Sequence, residues 1–211
     1  MLRFENLCKR YDEHVIFQRL RYSAGTGCVA LNDETGSGKS ILLGILAGEI
    51  KPDQGDVWID GHSLRGASLE VKSLLAYIPE DCMPYALQTG HAYLEFVASN
   101  RKTIVDSRTL DLADRFGLTP HLEKRFEQMS FGTRKKIFLT AAALGDVKVV
   151  IADEPGAGLD ASARAVLIDL FKTLGADRTV FFSSYDMEFT QACCAKMISF
   201  AELGVGVLSP T

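Results

Sequence analysis

The 211-residue sequence lacks any apolar run long enough to cross a membrane. Its apolar stretches, such as residues 41–47 and 147–152, fall far short of the ~18 residues that a transmembrane helix requires. The opening residues 1–5 turn polar too soon for a secretory signal. We therefore expect neither a membrane span nor an export signal.

Cysteine pairs are missing as well. The five cysteines form no C-x-x-C motif, and an odd number cannot all pair within one chain. This usage is typical of a reduced, cytosolic protein. Because Cys193 and Cys194 have no histidine nearby in the sequence, we interpret both as buried core thiols rather than metal ligands.

Basic charge is not in excess either. The 23 Lys and Arg residues against 27 Asp and Glu residues give a formal net charge of −4. This balance argues against a protein that coats nucleic acid, so we expect no nucleic-acid partner. With 47% hydrophobic residues, no internal repeat and no low-complexity segment, the chain suits one globular domain, or one domain with a small lobe.

Strands alternate with helices along much of the chain. Apolar runs predict buried strands at 28–31, 148–152 and 179–182, and helices are predicted at 40–47 and 161–174. Solidly apolar strands that alternate with helices indicate an α/β protein with a parallel sheet covered on both faces.

Two other regions have a different character. Residues 57–61 predict an exposed edge strand that ends in an Asp-Gly turn. Residues 79–136 hold few β-branched runs but contain amphipathic stretches, including 93–99 and 108–116. We interpret this middle region as a helical lobe inserted in the α/β core.

The loop at residues 36–40 (Gly-Ser-Gly-Lys-Ser) lies between a predicted buried strand and a helix. Glycines let backbone N–H groups curl around a phosphate, and a helix N-terminus adds unpaired donors. Lys39 would reach the β- and γ-phosphates, and the Ser40 hydroxyl would hold Mg²⁺. Asp33 stands where the full motif has its first glycine, and a chance Gly-Ser-Gly-Lys turn is the alternative.

Two acids, Asp153 and Glu154, end the predicted strand at 148–152. In that place one carboxylate can coordinate Mg²⁺ and the next can polarise water. Alone, such a pair usually marks only a surface loop. Together with the upstream phosphate loop, the pair indicates nucleotide chemistry.

A cationic segment, residues 129–136 (Met-Ser-Phe-Gly-Thr-Arg-Lys-Lys), leads into another apolar helix. Ser130 is a natural N-cap. Cations at Arg134, Lys135 and Lys136 have the wrong sign for the helix dipole, at about 0.3–1 kcal/mol each. A bound polyanion would offset this cost, whereas the alternative is that these side chains splay into solvent.

The order of these motifs resembles the ATPase subunits of ATP-binding cassette (ABC) transporters, over nearly the whole chain. The matching segments are Tyr11 for the adenine-stacking aromatic, 36–40 for the phosphate loop, 77–81 for the Q-loop, 130–133 for the signature, 153–155 for the second nucleotide motif, 158–160 for the D-loop and 182–186 for the switch-histidine segment.

The resemblance implies a P-loop NTPase (RecA-like) core, with a small antiparallel β part at the N-terminus and an inserted helical lobe. The whole chain, 1–211, would form one nucleotide-binding domain, with a core at about 1–79 and 137–211 and a helical subdomain at about 80–136. Residues implied to bind ATP are Tyr11, Gly36, Ser37, Gly38, Lys39, Ser40, Ile41, Ser130, Gly132 and Asp160. Those implied around Mg²⁺ are Ser40, Asp153 and Glu80, and the catalytic set is Glu154 (general base), Tyr185 and Glu80.

The family also implies partners. ATP would lie between the phosphate loop of one subunit and residues 130–132 of another, so a second nucleotide-binding subunit is expected. A separate membrane-spanning subunit would dock near the Q-loop and the helical lobe. That partner would hold the cytosolic chain at the inner face of the cell membrane, and the segment 130–136 resembles exporters more than importers.

Four departures from the family pattern bear on turnover. Asp33 would bring a repulsive carboxylate close to phosphate. Glu80 replaces a glutamine and, when ionised, can only accept hydrogen bonds. Phe131 and Thr133 alter the signature, and Tyr185 replaces a histidine that would contact the γ-phosphate. The hypothesis is an active but slowed ATPase.

Three alternatives remain open at this stage. A non-catalytic module that binds ATP to regulate a partner is favoured by Asp33 and Tyr185. A soluble ABC ATPase of DNA repair or translation would usually carry coiled-coil insertions or two cassettes. A small P-loop kinase would leave the signature segment unexplained.

Overall fold

The computed structural model describes residues 1–66, 69–83 and 86–204. The strands are β1 (Leu2–Tyr11), β2 (His14–Ala24), β3 (Gly27–Leu31), β4 (Gln54–Ile59), β5 (His62–Ser63), β6 (Leu75–Ile78), β7 (Val149–Ala152), β8 (Thr179–Ser183) and β9 (Lys196–Ile198). The helices are α1 (Lys39–Leu46), α2 (Leu69–Ser73), α3 (Gly90–Asn100), α4 (Ser107–Arg115), α5 (Phe131–Ala142), α6 (Ala161–Gly175) and α7 (Met187–Ala192). Short 3₁₀ helices span Thr119–His121, Phe126–Gln128 and Phe200–Leu203.

The central sheet is parallel, in the order β6-β7-β8-β3-β9. Every residue of β7 and β8 is buried, as expected for strands covered on both faces. The predicted strands and parallel α/β arrangement are confirmed. One hydrophobic cluster lies on each face, one with α3 to α6 and the other with α1 and the second sheet.

The second sheet is antiparallel, in the order β2-β1-β4-β5. The prediction of an exposed edge strand at 57–61 was wrong, because β4 pairs with both β1 and β5 and turns Val57 and Ile59 into the core. Its Asp-Gly turn is confirmed, since Asp60 and Gly61 both have positive φ, 48° and 85°. The small antiparallel β part is also confirmed.

Helices α3, α4 and α5 occupy the middle of the chain. The rings of Tyr93, Phe126 and Phe138 pack together there, with centroids 4.8 to 6.0 Å apart. Helix α5 runs unbroken across the boundary expected at 136, so the division into core and helical subdomain stays a prediction.

Two sequence-based details concern burial. Helix α6 turns Leu167, Leu170 and Phe171 into the core. The interpretation of both adjacent cysteines as core thiols was wrong for one: Cys193 is buried, but Cys194 is exposed and has a φ of 53°. Within the described part of the chain, no helix combines the length and apolarity that a membrane crossing demands.

Candidate functional site

The candidate residues gather at one edge of the parallel sheet. The loops that leave the carboxyl ends of β3, β6, β7 and β8 begin with Asn32, Pro79, Asp153 and Ser184. In parallel α/β sheets, the crevice outside these strand ends is where ligands bind. The topology therefore brings four predicted motifs to one place, although they lie between residues 32 and 186 and some are more than 100 residues apart in the sequence.

The phosphate loop (residues 33–40) ends in an N-terminus of α1 that has no side-chain cap. Gly36 and Gly38 have φ of 80° and 93°, and Gly38 is the N-cap of α1 in the left-handed region. An added Cβ on Gly38 would meet Ile16 of β2, so only glycine fits there. With no acid in the first turn of α1, which includes Ser40 and Ile41, the unpaired N–H groups fit a phosphate.

Two polar side chains of this loop are withdrawn from solvent. Lys39 is only 5% exposed, and its Nζ donates to the carbonyl oxygens of Asp33 and Glu34. The same Nζ lies 4.0 Å from the ring centroid of Tyr185, a cation–π contact. The hydroxyl of Ser37 is buried and has no hydrogen-bond partner among the described residues. Lys39 is placed to exchange its carbonyl contacts for phosphate oxygens, and the Ser37 hydroxyl is free to bind one.

The Asp33 side chain accepts hydrogen bonds from two backbone groups. Its Oδ2 accepts from the backbone N–H of Phe200 at 2.8 Å, and its Oδ1 accepts from the N–H of Glu34. Both oxygens are engaged with backbone donors, and the expectation that this carboxylate repels phosphate stays a prediction. The side chain anchors the phosphate loop to the 3₁₀ helix after β9.

Asp153 and Glu154 are tied together through Ser183 at the end of β8. The Ser183 hydroxyl donates to Asp153 Oδ1 at 2.6 Å and accepts from the Glu154 N–H at 2.9 Å. Burial raises the pKa of the Glu154 carboxyl, and the negative charge of Asp153 raises it further. Its Oε1 is buried without a hydrogen-bond partner in the described part of the chain. A desolvated carboxyl with a free oxygen suits a general base.

The donor groups at this edge suit Mg²⁺ better than they suit a metal ion that takes all of its ligands from the protein. Mg²⁺ usually takes one or two carboxylates, waters and substrate phosphates. Asp153 is a single buried carboxylate, 3% exposed, and Ser40 offers an exposed hydroxyl at the start of α1. No group of three or more His, Cys, Asp or Glu side chains that could hold a metal occurs among the described residues.

Two predicted residues stand at the rim. Glu80 is exposed on the loop after β6. Tyr11 ends β1, is 48% exposed and has Lys9 Nζ 4.9 Å from its ring centroid. The β1–β2 hairpin that carries Tyr11 reaches the phosphate loop at Ile16, which packs against Gly38. That approach suits an aromatic beside a bound nucleotide, although Tyr11 itself stays a prediction.

The signature residues form a second cluster with the D-loop. Ser130 caps α5 and accepts from the Thr133 N–H at 3.2 Å. Gly132 lies so close to the carbonyl oxygen of Gly158 that a Cβ would collide with it. Asp160 caps α6 and accepts from Lys136 Nζ at 3.1 Å; hydrogen bonds hold the pKa of this carboxyl far below its usual range, the one from the Ala163 N–H most strongly.

The three cations of α5 each have partners within the chain. Arg134 donates to the Met129 carbonyl, and Lys136 pairs with Asp160. Lys135 is 0% exposed, and its Nζ donates to main-chain carbonyl oxygens. Both readings of this segment were therefore wrong for Lys135, which sequence reasoning missed because nothing local distinguishes it from its charged neighbours.

A groove lies beside the loop that follows β6. It encloses about 540 Å³ and is lined by Glu49, Tyr77, Pro79, Asp81, Met83, Tyr93 and Phe138. Five of its lining residues are apolar or aromatic, and its two charged residues are both acidic. We call it the Tyr77 groove.

Comparison with known proteins now adds to this geometry. A family model described as "ABC transporter" matches residues 22–157. The ABC transporter A family member 1 of Dictyostelium discoideum is 26% identical over 170 residues, which are 79% of this chain but 19% of that protein. The uncharacterized ABC transporter ATP-binding protein YxlF of Bacillus subtilis (strain 168) is 28% identical over 204 residues, 94% of this chain and 67% of that protein.

A solved ATP-binding cassette, in a dimeric post-hydrolysis state bound to ADP and Pi, has the same fold. Its TM-score is 0.82 at 18% identity, with 94% of both chains covered. The parallel sheet with a phosphate loop at its carboxyl edge therefore defines a P-loop NTPase of the ABC ATPase type. The chain belongs to the ABC transporter family, as an ATP-binding subunit. It spans about a fifth of the first of these relatives and about two thirds of the second.

Proposed function

We propose that this chain binds and hydrolyses MgATP and so energises a separate membrane-spanning transporter subunit. In this proposal the assembled transporter is an exporter. The observation that carries the proposal is that the uncapped phosphate loop after β3 shares one sheet edge with Asp153 and the desolvated Glu154 after β7, with β8 between the two strands. The loop supplies free N–H donors and Lys39, while the acids supply a metal ligand and a base. Family members generally hydrolyse ATP, which supports the same conclusion.

Roles follow from these placements. The triphosphate is bound by the phosphate loop and the first turn of α1, through Gly36, Ser37, Gly38, Lys39 and Ile41. Tyr11 lies against the adenine. Ser40 and Asp153, with Glu80 at the rim, hold Mg²⁺, which when bound neutralises phosphate charge. Glu154 accepts a proton from the attacking water through its unpartnered Oε1. The Tyr185 hydroxyl donates a hydrogen bond to the γ-phosphate.

A second nucleotide-binding subunit completes the site. Ser130 and Gly132 begin α5 with no acid in its first turn, so this helix N-terminus also fits a phosphate. Asp160 lies beside it, tied to Lys136. In our proposal this cluster faces the ATP held by the partner subunit, and the dimeric state of the solved relative supports that arrangement.

The Tyr77 groove is the docking surface that we propose for the membrane subunit. Its aromatic walls and the acids Glu49 and Asp81 would receive a segment that combines apolar and basic residues. Because the groove borders the loop of Glu80, a partner there would respond to changes at the nucleotide. The chain then lies on the cytoplasmic face of the membrane through this partner.

The test is a steady-state ATPase assay of the purified chain and of Glu154→Gln. We expect Glu154→Gln to lose about 100-fold or more of kcat while still binding ATP. Glu123→Gln, a change at an exposed acid on the helical lobe, is the matched control and should keep kcat. A parent without turnover, or a Glu154→Gln variant as fast as the parent, would contradict the proposal.

A second candidate is a regulatory module that binds ATP without turnover. The contact of Tyr185 with Lys39 favours it, because a phenol cannot become a cation at neutral pH as a histidine can. The same assay on Tyr185→His separates the two. A slowed ATPase should gain rate in this variant, whereas a switch module should bind ATP tightly and stay inactive in both forms.

A further inference from the structure

Lys135 is a buried cation between two of the loops that carry the candidate chemistry. It lies in α5 and is 0% exposed. Its Nζ donates to the carbonyl oxygens of Pro79 at 3.2 Å and Glu80 at 2.9 Å, after β6, and to those of Asp153 and Glu154 at 3.4 Å each, after β7. An ammonium has three N–H donors, so the four carbonyls share them.

These four carbonyls belong to the residues around the proposed chemistry. Glu80 and Glu154 follow different strands, and 73 residues of sequence between them offer no local constraint on their spacing. Glu154 also has a φ of 42°, a backbone conformation that the surroundings must hold in place. Lys135 binds both segments at once and fixes them against α5.

The same side chain reaches the signature residues. Lys135 Nζ lies 5.1 Å from the ring centroid of Phe131, and that ring packs against Gly158 of the D-loop. The start of α5, the loop after β6 and the loop after β7 therefore meet at one ammonium group.

We propose that Lys135 is a positioning residue, whose ammonium sets Glu80 and Glu154 relative to the signature helix and so controls the rate of hydrolysis but not ATP affinity. This inference rests on the proposed function. A role in stability alone would predict a less stable chain with an unchanged kcat for the folded fraction.

Arg101 provides a matched control. It is a partly buried cation, and among the described residues it donates to the carbonyl oxygens of Leu75, Ala141 and Leu144. These lie at the opposite ends of β6 and α5, away from the nucleotide edge. Loss of Arg101 removes the same kind of interaction from the same junction without touching Glu80 or Glu154.

The experiment compares Lys135→Met, Lys135→Arg and Arg101→Met by kcat at saturating MgATP and by the Kd of a non-hydrolysable ATP analogue. We expect Lys135→Met to lose about 100-fold of kcat with Kd changed less than about threefold. Lys135→Arg should restore part of the rate, and Arg101→Met should keep it within about twofold. Equal losses in Lys135→Met and Arg101→Met, or no loss in Lys135→Met, would overturn the proposal.

Hydrogen exchange separates failure of this inference from failure of the proposed function. Lys135→Met should increase amide exchange at residues 80–81 and 153–154, and Arg101→Met should not. If the parent proves inactive, the proposed hydrolysis fails, and unchanged exchange at both segments would then overturn the positioning role as well. If Lys135→Met does not fold, Lys135→Gln takes its place in both measurements.

Discussion

Lys39 and Lys135 are two buried lysines near the N-termini of two helices, yet they are built for opposite tasks. Lys39 is held by carbonyls of its own loop, five and six residues away in sequence. Lys135 is held by carbonyls 18 to 56 residues away, on two separate strand ends. Because the contacts of Lys39 are local, its ammonium can exchange them for contacts to a ligand. The contacts of Lys135 join distant segments, so its ammonium is a fixed part of the structure.

The sharpest way to break this comparison is ATP affinity. Lys39→Met should weaken binding of a non-hydrolysable ATP analogue about 100-fold, or about 3 kcal/mol, because a charge-assisted contact to phosphate is lost. Isothermal titration of both methionine variants measures the difference. A Lys135→Met variant that lost affinity as strongly as Lys39→Met would erase the distinction.

We expect the free energy of unfolding to fall more in Lys135→Met than in Lys39→Met. Lys135→Met removes a buried donor from four carbonyls, of which those of Pro79 and Glu154 keep a second donor in Cys82 and Ala157, so we expect the free energy of unfolding to fall by about 3 kcal/mol. Lys39→Met frees carbonyls of a partly exposed loop and should lose less than about 1 kcal/mol. Urea denaturation of the nucleotide-free proteins gives both values, and equal losses would contradict this expectation.

The smallest effect concerns the ring over Lys39. Tyr185→Leu and Tyr185→Phe both lack the hydroxyl proposed to reach the γ-phosphate, but only Tyr185→Leu also removes a cation–π contact of about 1 kcal/mol that the nucleotide-free state makes, so it should bind ATP about fivefold more tightly than Tyr185→Phe. Tyr185→Phe keeps the ring and should leave this contact intact. Titration of both variants decides the point, since equal tightening would assign the effect to the hydroxyl instead.

The contrast between the lysines also explains what sequence could predict. The phosphate loop and the pair Asp153-Glu154 were visible because a strand, a few glycines or acids and a helix follow one another directly. The parallel sheet was visible for the same reason, from solid apolar runs such as β7 and β8. Each of these signals lies within about ten residues, where strand and helix periods can be read.

The misses share a physical cause, which is contact between distant segments. Ser183 bridges Asp153 and Glu154 from about 30 residues away, and Asp33 reaches Phe200 across 167 residues. Neither Lys135 nor Asp33 differs by type from an ordinary solvated charge. The place of β4 inside its sheet depended on pairing with β1, which lies about 50 residues earlier in the sequence.

The anchor between Asp33 and Phe200 carries a warning for protein engineering. A designer guided by the family pattern would restore glycine at position 33 to relieve the loop. In this chain the exchange would instead remove the hydrogen bond between the phosphate loop and the segment that follows β9, which leaves the same carboxyl edge of the sheet as β3. Asp33 therefore links the phosphate loop to Phe200, and the effect of a substitution at position 33 can be judged only together with residue 200.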